Sequence, residues 1–99
     1  MEFVGIAKFK TKPEYTDEQM LLAEKEIRKA LAEQEGFLYR ELGKFSNGYW
    51  IVSIHWSSKE AGSQWTENSK KYDSVKNQHQ MIDFTTMRME FYEKIKLED

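Results

Sequence analysis

The chain contains no cysteine, one proline, five glycines and two histidines in 99 residues. Without cysteine there can be no disulfide, no thiolate nucleophile and no cysteine-ligated metal. Such a composition suits a reducing compartment, and a cytoplasmic location is expected. A zinc or iron site would need both His55 and His79 together with a carboxylate, yet their spacing is not that of a ligand pair, so no metal is expected. Long hydrophobic runs are also missing. The longest wholly apolar stretch is Met20 to Ala23, against the roughly 20 residues a membrane helix needs. The first residues, Glu2 to Phe9, alternate instead of forming the apolar heart of a signal peptide. No membrane association is expected.

Neither sign of charge dominates. Fifteen basic and 17 acidic side chains leave a net charge of −2, with the signs interspersed. Lys8, Lys10, Lys12 and Lys44 could sit near one another, and such a group reads as a solvated edge. The concentrated basic face that nucleic acid demands is missing, so no nucleic-acid partner is expected. Phosphate loops, serine elbows and Walker patterns are likewise absent, and no nucleotide cofactor is indicated.

What is present is the material of one small globular domain spanning residues 1–99. Hydrophobic residues make up 39% and charged residues 32%, which excludes a disordered chain. Aromatic residues reach 14%, high for so small a core. Those rings must fill the core, line a pocket or bury against another subunit.

Hydropathy periods divide the chain into six main elements. Residues 2–11 alternate as a strand, with Phe3, Gly5, Ala7 and Phe9 on one face and Val4 and Ile6 on the other, and Pro13 ends it. Thr16 with Gln19 has capping-box form and opens a helix. Its apolar stripe is Met20, Ala23, Ile27, Ala30 and Leu31, while Glu24, Lys25, Arg28 and Lys29 are expected to face water. Gly36 stops it. Residues 37–45 and 49–57 form a hairpin around Ser46-Asn47-Gly48. A second helix begins at Ser57 or Ser58, with Ser57 and Glu60 as its candidate capping box. After a break at Asn68-Ser69, a short helix is expected over residues 70–80. The last strand covers residues 84–95, with Met87, Met89 and Phe91 on one face and Phe84, Thr86, Arg88, Glu90 and Tyr92 on the other.

The order β-α-β-β-α-β predicts an α+β, ferredoxin-like domain: a four-stranded antiparallel sheet with helices on one face. The other sheet face would then be bare, although it too carries large groups such as Tyr49, Ile51 and Tyr92. A second copy packed face to face by a two-fold axis would cover it, so a homodimer through the open sheet face is expected.

At Glu35-Gly36-Phe37-Leu38-Tyr39-Arg40-Glu41-Leu42 and Ile54-His55-Trp56-Ser57-Ser58-Lys59-Glu60-Ala61 the chain resembles the antibiotic biosynthesis monooxygenase family. The resemblance extends over nearly the whole sequence, and its motifs specify fold better than chemistry. It implies a dimeric α/β barrel with a pocket between sheet and helices. It also implies a choice of activities: cofactor-free oxygenation of quinols and polyketide aromatics, haem breakdown, or isomerisation of small signals. Trp56 matches a tryptophan that quinone-forming members use, but their asparagine and tyrosine are replaced by Val52 and Gly62. Trp65 matches a tryptophan of the haem-degrading branch, whose asparagine and histidine are replaced by Ala7 and Val75.

Candidate residues follow from type and position. His79 or His55 is the candidate general base. Arg88 is the candidate donor for an anionic oxygen, its structural alternative being an ion pair with Glu41 or Glu90. Trp56, Trp65, Tyr72 and Phe84 are the candidate walls of a substrate pocket, the tryptophans and Tyr72 being equally suited to plain packing. The functional expectation is a cofactor-independent monooxygenase acting on a small aromatic or quinol-like molecule. The alternatives are a dimeric module that binds a small ligand without turning it over and, further off, a haem protein. Convergence of His55, His79 and Arg88 on one cavity would favour the enzyme.

Overall fold

In the computed structural model, which describes residues 1–98, the elements run β1 (Phe3–Thr11), α1 (Asp17–Ala32), β2 (Phe37–Lys44), β3 (Trp50–Trp56), α2 (Lys59–Asn68), a 3-10 turn (Ser69–Lys71), α3 (Asp73–Met81) and β4 (Ile82–Glu93). The strands form one sheet in the order β2-β3-β1-β4, and every neighbouring pair is antiparallel. This is the ferredoxin-like arrangement expected from the alternation of periods.

Local chemistry explains the boundaries. The Thr16 hydroxyl accepts from the Gln19 N–H, and the Gln19 side chain accepts from the Thr16 N–H, so the box opening α1 is complete. At α2 the cap is Ser58, which accepts from the Ala61 N–H, whereas the Ser57 N–H donates to Gly36 O at 2.8 Å and ties the helix start to the residue just before β2. The expected third helix starts at Asp73 because residues 69–71 take the tighter 3-10 form. Strand β4 begins two residues earlier than expected and ends at Glu93.

Two irregularities matter for the site. The β2/β3 register shifts between Phe37 and Tyr39, so Phe37 and Arg40 both reach the helix side while Leu38 is left exposed. A longer shift separates Lys8↔Arg88 from Lys10↔Asp83 in the β1/β4 ladder. There the Lys10 N–H donates to Thr86 Oγ1 at 2.8 Å, and Thr86 Oγ1 donates in turn to the Asp83 carbonyl. The extra residues let Phe84 turn back against α3.

The core lies on the helix side in two clusters. Phe9, Met20, Ala23, Trp50, Val52, Met81 and Ile82 make one, and Ile27, Leu31, Trp56, Ala61 and Val75 the other. Glu24, expected to face water, is 4% exposed and stands among them. Among the described residues no helix is long and apolar enough to cross a membrane.

Candidate functional site: a cavity with one charged corner

Between the helix-facing side of the sheet and the helices lies a cavity of about 630 Å³. That is within the range of small-molecule sites. Its walls are mostly apolar. Ile54 and Trp56 come from β3, Phe3 from β1, Met87, Met89 and Phe91 from β4, and Trp65 from α2. Period-two alternation puts these strand residues on one face, and packing against the helices keeps the tryptophans in place. Trp56 is almost wholly buried, with the edge of Phe37 against it at 5.7 Å and Trp65 tilted over it at 6.2 Å.

Thr66, Ser69 and Lys70 form one polar edge, and Arg40, Gln78 and His79 make a polar corner. Arg40 reaches it because the β2 bulge turns residue 40 toward the helices. Its side chain is 6% exposed and that of Glu24 is 5%. Arg40 Nε and Nη2 each donate to one Glu24 oxygen at 2.8 Å, and Nη2 also donates to Gln78 Oε1 at 3.0 Å. The Gln78 amide donates to Glu24 Oε1 at 3.0 Å, closing a ring of three residues from β2, α1 and α3. Arg28, one turn along α1, donates to the second Glu24 oxygen at 3.0 Å. Burial pushes the Glu24 carboxyl pKa up, but the Arg40 hydrogen bonds and charge, with the Gln78 and Arg28 bonds, outweigh it and hold the pKa below the usual carboxylate value.

His79 stands beside this ring at the cavity rim, with the edge of Phe84 against it at 5.7 Å. Neither of its ring nitrogens bonds to a described residue. The residue itself is exposed, yet desolvation by the groups packed around its ring, and then the Arg40 charge, lower its pKa below the ordinary imidazole value. At neutral pH it is therefore an uncharged imidazole, the form that accepts a proton.

The candidate residues divide between the two sheet faces. Trp56, Trp65 and His79 line the cavity. Tyr72 packs behind Trp65 at 5.9 Å, where its hydroxyl donates to Glu33 and accepts from Gln34. Phe84 is half exposed and touches His79 rather than the cavity.

His55 and Arg88 point away from the cavity, because each lies between two residues that face it. His55 stacks on Tyr39 at 3.9 Å, shares a hydrogen bond with Ser53, and keeps a buried Nδ1 without a partner. Burial and then Lys94 lower its pKa, against the opposing pull of Glu41 and Glu2. Arg88 sits exposed across from Lys8 and, among the described residues, pairs with neither Glu41 nor Glu90. His55, His79 and Arg88 therefore do not converge on one cavity, the arrangement that would favour the enzyme. The cavity's arginine is Arg40. The signal for it was a charged residue inside the hydrophobic alternation of β2, matched by Glu24 inside the apolar stripe of α1.

Ala7, Val52, Gly62 and Val75 all line this cavity. A Cβ on Gly62 would lie 2.9 Å from the Phe3 ring and 3.3 Å from Trp56, so no larger side chain fits there without moving Phe3.

No family model matches the chain, and no curated protein matches it in sequence. Solved structures do match in fold. SnoaB, a cofactor-independent oxygenase from Streptomyces nogalater, superposes with a TM-score of 0.80 at 10% identity, over 97% of this chain and 95% of that one. A putative antibiotic biosynthesis monooxygenase from Bordetella bronchiseptica gives 0.79 at 9% identity, over 96% and 98%. A dimeric ferredoxin-like protein of unknown function from Thermobifida fusca gives 0.73 at 12% identity, over 93% and 90%. The likeness is one of fold. Three solved structures of this fold, the one from Bordetella bronchiseptica among them, are described as putative antibiotic biosynthesis monooxygenases, the family name that the sequence motifs suggested.

Proposed function

We propose that the protein is a cofactor-independent monooxygenase acting on a small aromatic or quinol-like substrate held in the cavity between sheet and helices. The observation that carries this is the pairing of an apolar cavity with one corner where an uncharged imidazole stands beside a buried guanidinium. His79 takes a proton from the substrate, and Arg40 stabilises the anion that results. The electron-rich anion then reacts with dioxygen. One oxygen atom ends as the new carbonyl and the other leaves as water, so a ring or benzylic CH2, or an aromatic C–H para to a hydroxyl, is oxidised without an added reductant. Trp56 and Trp65 hold the ring and exclude water. His55 and Arg88 have no part in this reading, since both face away. The fold neighbours named as oxygenases add support.

Oxygen uptake is the test. Purified protein, free of added metal or flavin, should consume oxygen saturably with hydroquinols or anthrone-like phenols, above the autoxidation blank. His79→Ala should abolish the excess without unfolding the chain. Uptake that does not exceed the blank with any such substrate would reject the oxygenase. The remaining reading is a module that binds a small ligand without turning it over. It is favoured by the apolar residues at positions 7, 52, 62 and 75.

We also propose a homodimer through the open sheet face. That face presents Tyr39 and Tyr92, each more than two-fifths exposed, beside His55 with its unpartnered nitrogen. A second subunit would cover the rings, and a fold neighbour is described as dimeric. Sedimentation equilibrium giving only monomer at micromolar concentration would exclude it.

A further inference from the structure

The charges around Glu24 do not balance. One carboxylate, 5% exposed, meets two guanidinium groups, Arg40 at 2.8 Å and Arg28 at 3.0 Å. Arg28 is half exposed and its excess charge is screened by water. Arg40 is not screened in this way. Its Nε and Nη2 are occupied by Glu24 and Gln78, while Nη1 has no partner among the described residues. Nor is Nη1 among the buried atoms lacking a bond, so it opens onto space, and Arg40 lines the cavity. The only other cation on the lining is Lys70, which is exposed and has Glu67 at 3.7 Å.

A guanidinium held mostly out of water, with one N–H group unpartnered beside apolar walls, gains from an anion that can meet that group. The ring of Glu24 and Gln78 holds the guanidinium plane in place, so the unpartnered Nη1 would need little rearrangement to meet a ligand. Such preorganisation favours a planar anion that accepts charge-assisted hydrogen bonds. The Trp56 and Trp65 rings beside it favour a flat apolar body.

From this arrangement we infer that the cavity selects an aromatic carboxylate, its ring among the tryptophans and its carboxylate on Arg40 Nη1. The inference rests on the same cavity as the proposed oxygenase and adds a recognition group separate from the reacting carbon. Glu24 and Gln78 are positioning residues, since they hold Arg40 rather than the ligand.

Calorimetric titration at pH 8, where His79 is uncharged, tests it with two probes of one shape, 2-naphthoate and 2-naphthamide. Naphthoate should bind at least about tenfold more tightly, the least that one charge-assisted hydrogen bond provides. The advantage should vanish in the double variant Glu24→Gln/Arg40→Gln, which keeps the ring neutral. Isotope-edited NMR of the arginine guanidinium groups in the unaltered protein gives an independent readout. Arg40 signals should move with naphthoate and stay in place with naphthamide. Equal affinities, no binding of naphthoate, or a shift confined to Arg28 or Arg88 would each overturn the inference. So would selectivity that survives in the folded double variant, which would assign it to Lys70 or another cation. Selective binding without oxygen uptake would sink the oxygenase and leave the anion corner standing. Uptake of neutral quinols with no carboxylate preference would do the reverse.

Discussion

Arg40 and Glu24, 16 residues apart in sequence, form a two-pronged ion pair with both bonds at 2.8 Å and both side chains about 5% exposed. It links the second strand to the first helix at the buried charged corner of the cavity.

Breaking that pair from one side should be costly. Arg40→Met leaves Glu24 buried with the half-exposed Arg28 as its one cation and the Gln78 amide, and Glu24→Leu leaves Arg40 uncompensated. Each should lose about 3–5 kcal/mol of stability in urea denaturation, the range for a buried pair that loses one partner. The double variant should lose less than the sum of the singles, because no lone charge remains. Additive losses would mean that the pair is not coupled.

Stability should fall on acidification in two windows. His55 and His79 have folded pKa values below 6.5, their proton affinity being higher in the unfolded chain. Their contribution is therefore present above that value and lost as pH falls below it. Glu24 also has a lowered pKa, so its contribution holds above 4.5 and disappears at lower pH. Thermal unfolding followed from pH 8 to pH 5 should show a falling Tm, with a flatter profile in His55→Phe. An unchanged slope in that variant would show that His55 does not sense pH.

Gly36→Ala should be strongly destabilising. Gly36 has a φ of +82°, and a Cβ there would stand 2.6 Å from Ala61 Cβ and 2.8 Å from Ser57 Oγ. The strained backbone alone costs about 1–3 kcal/mol, and the clash with the start of α2 adds to it. At Gly48, with φ +91° but open space around it, the same substitution should cost only the conformational part. Comparing denaturation midpoints of the two variants checks this, and equal losses would contradict it.

Much of the fold was legible because its signals are local. The Thr16–Gln19 box, the Asn-Gly hairpin and the alternation of β1 and β3 depend on neighbours a few residues away. The strand order and the helices on one face followed from connecting such units. The site was less legible. Alternation sets His55 and Arg88 on the strand faces opposite Trp56 and Met89, but it does not say which of the two faces the helices cover. Glu24 was read as solvent-facing because it is charged, although it lies four residues after Met20 and three before Ile27, inside the apolar stripe.

By itself, then, the sequence determined the element types, their order and the apolar faces, since the 2.0 and 3.6 periods are set by the backbone. Tertiary structure alone decided that a bulge after Phe37 turns Arg40 inward, that Glu24 and Gln78 from two helices meet it, and that His79 stands beside them. Those outcomes depend on a single register shift and on contacts across 16 to 54 residues. No local pattern encodes the partner of a buried charge; only packing brings that partner within reach.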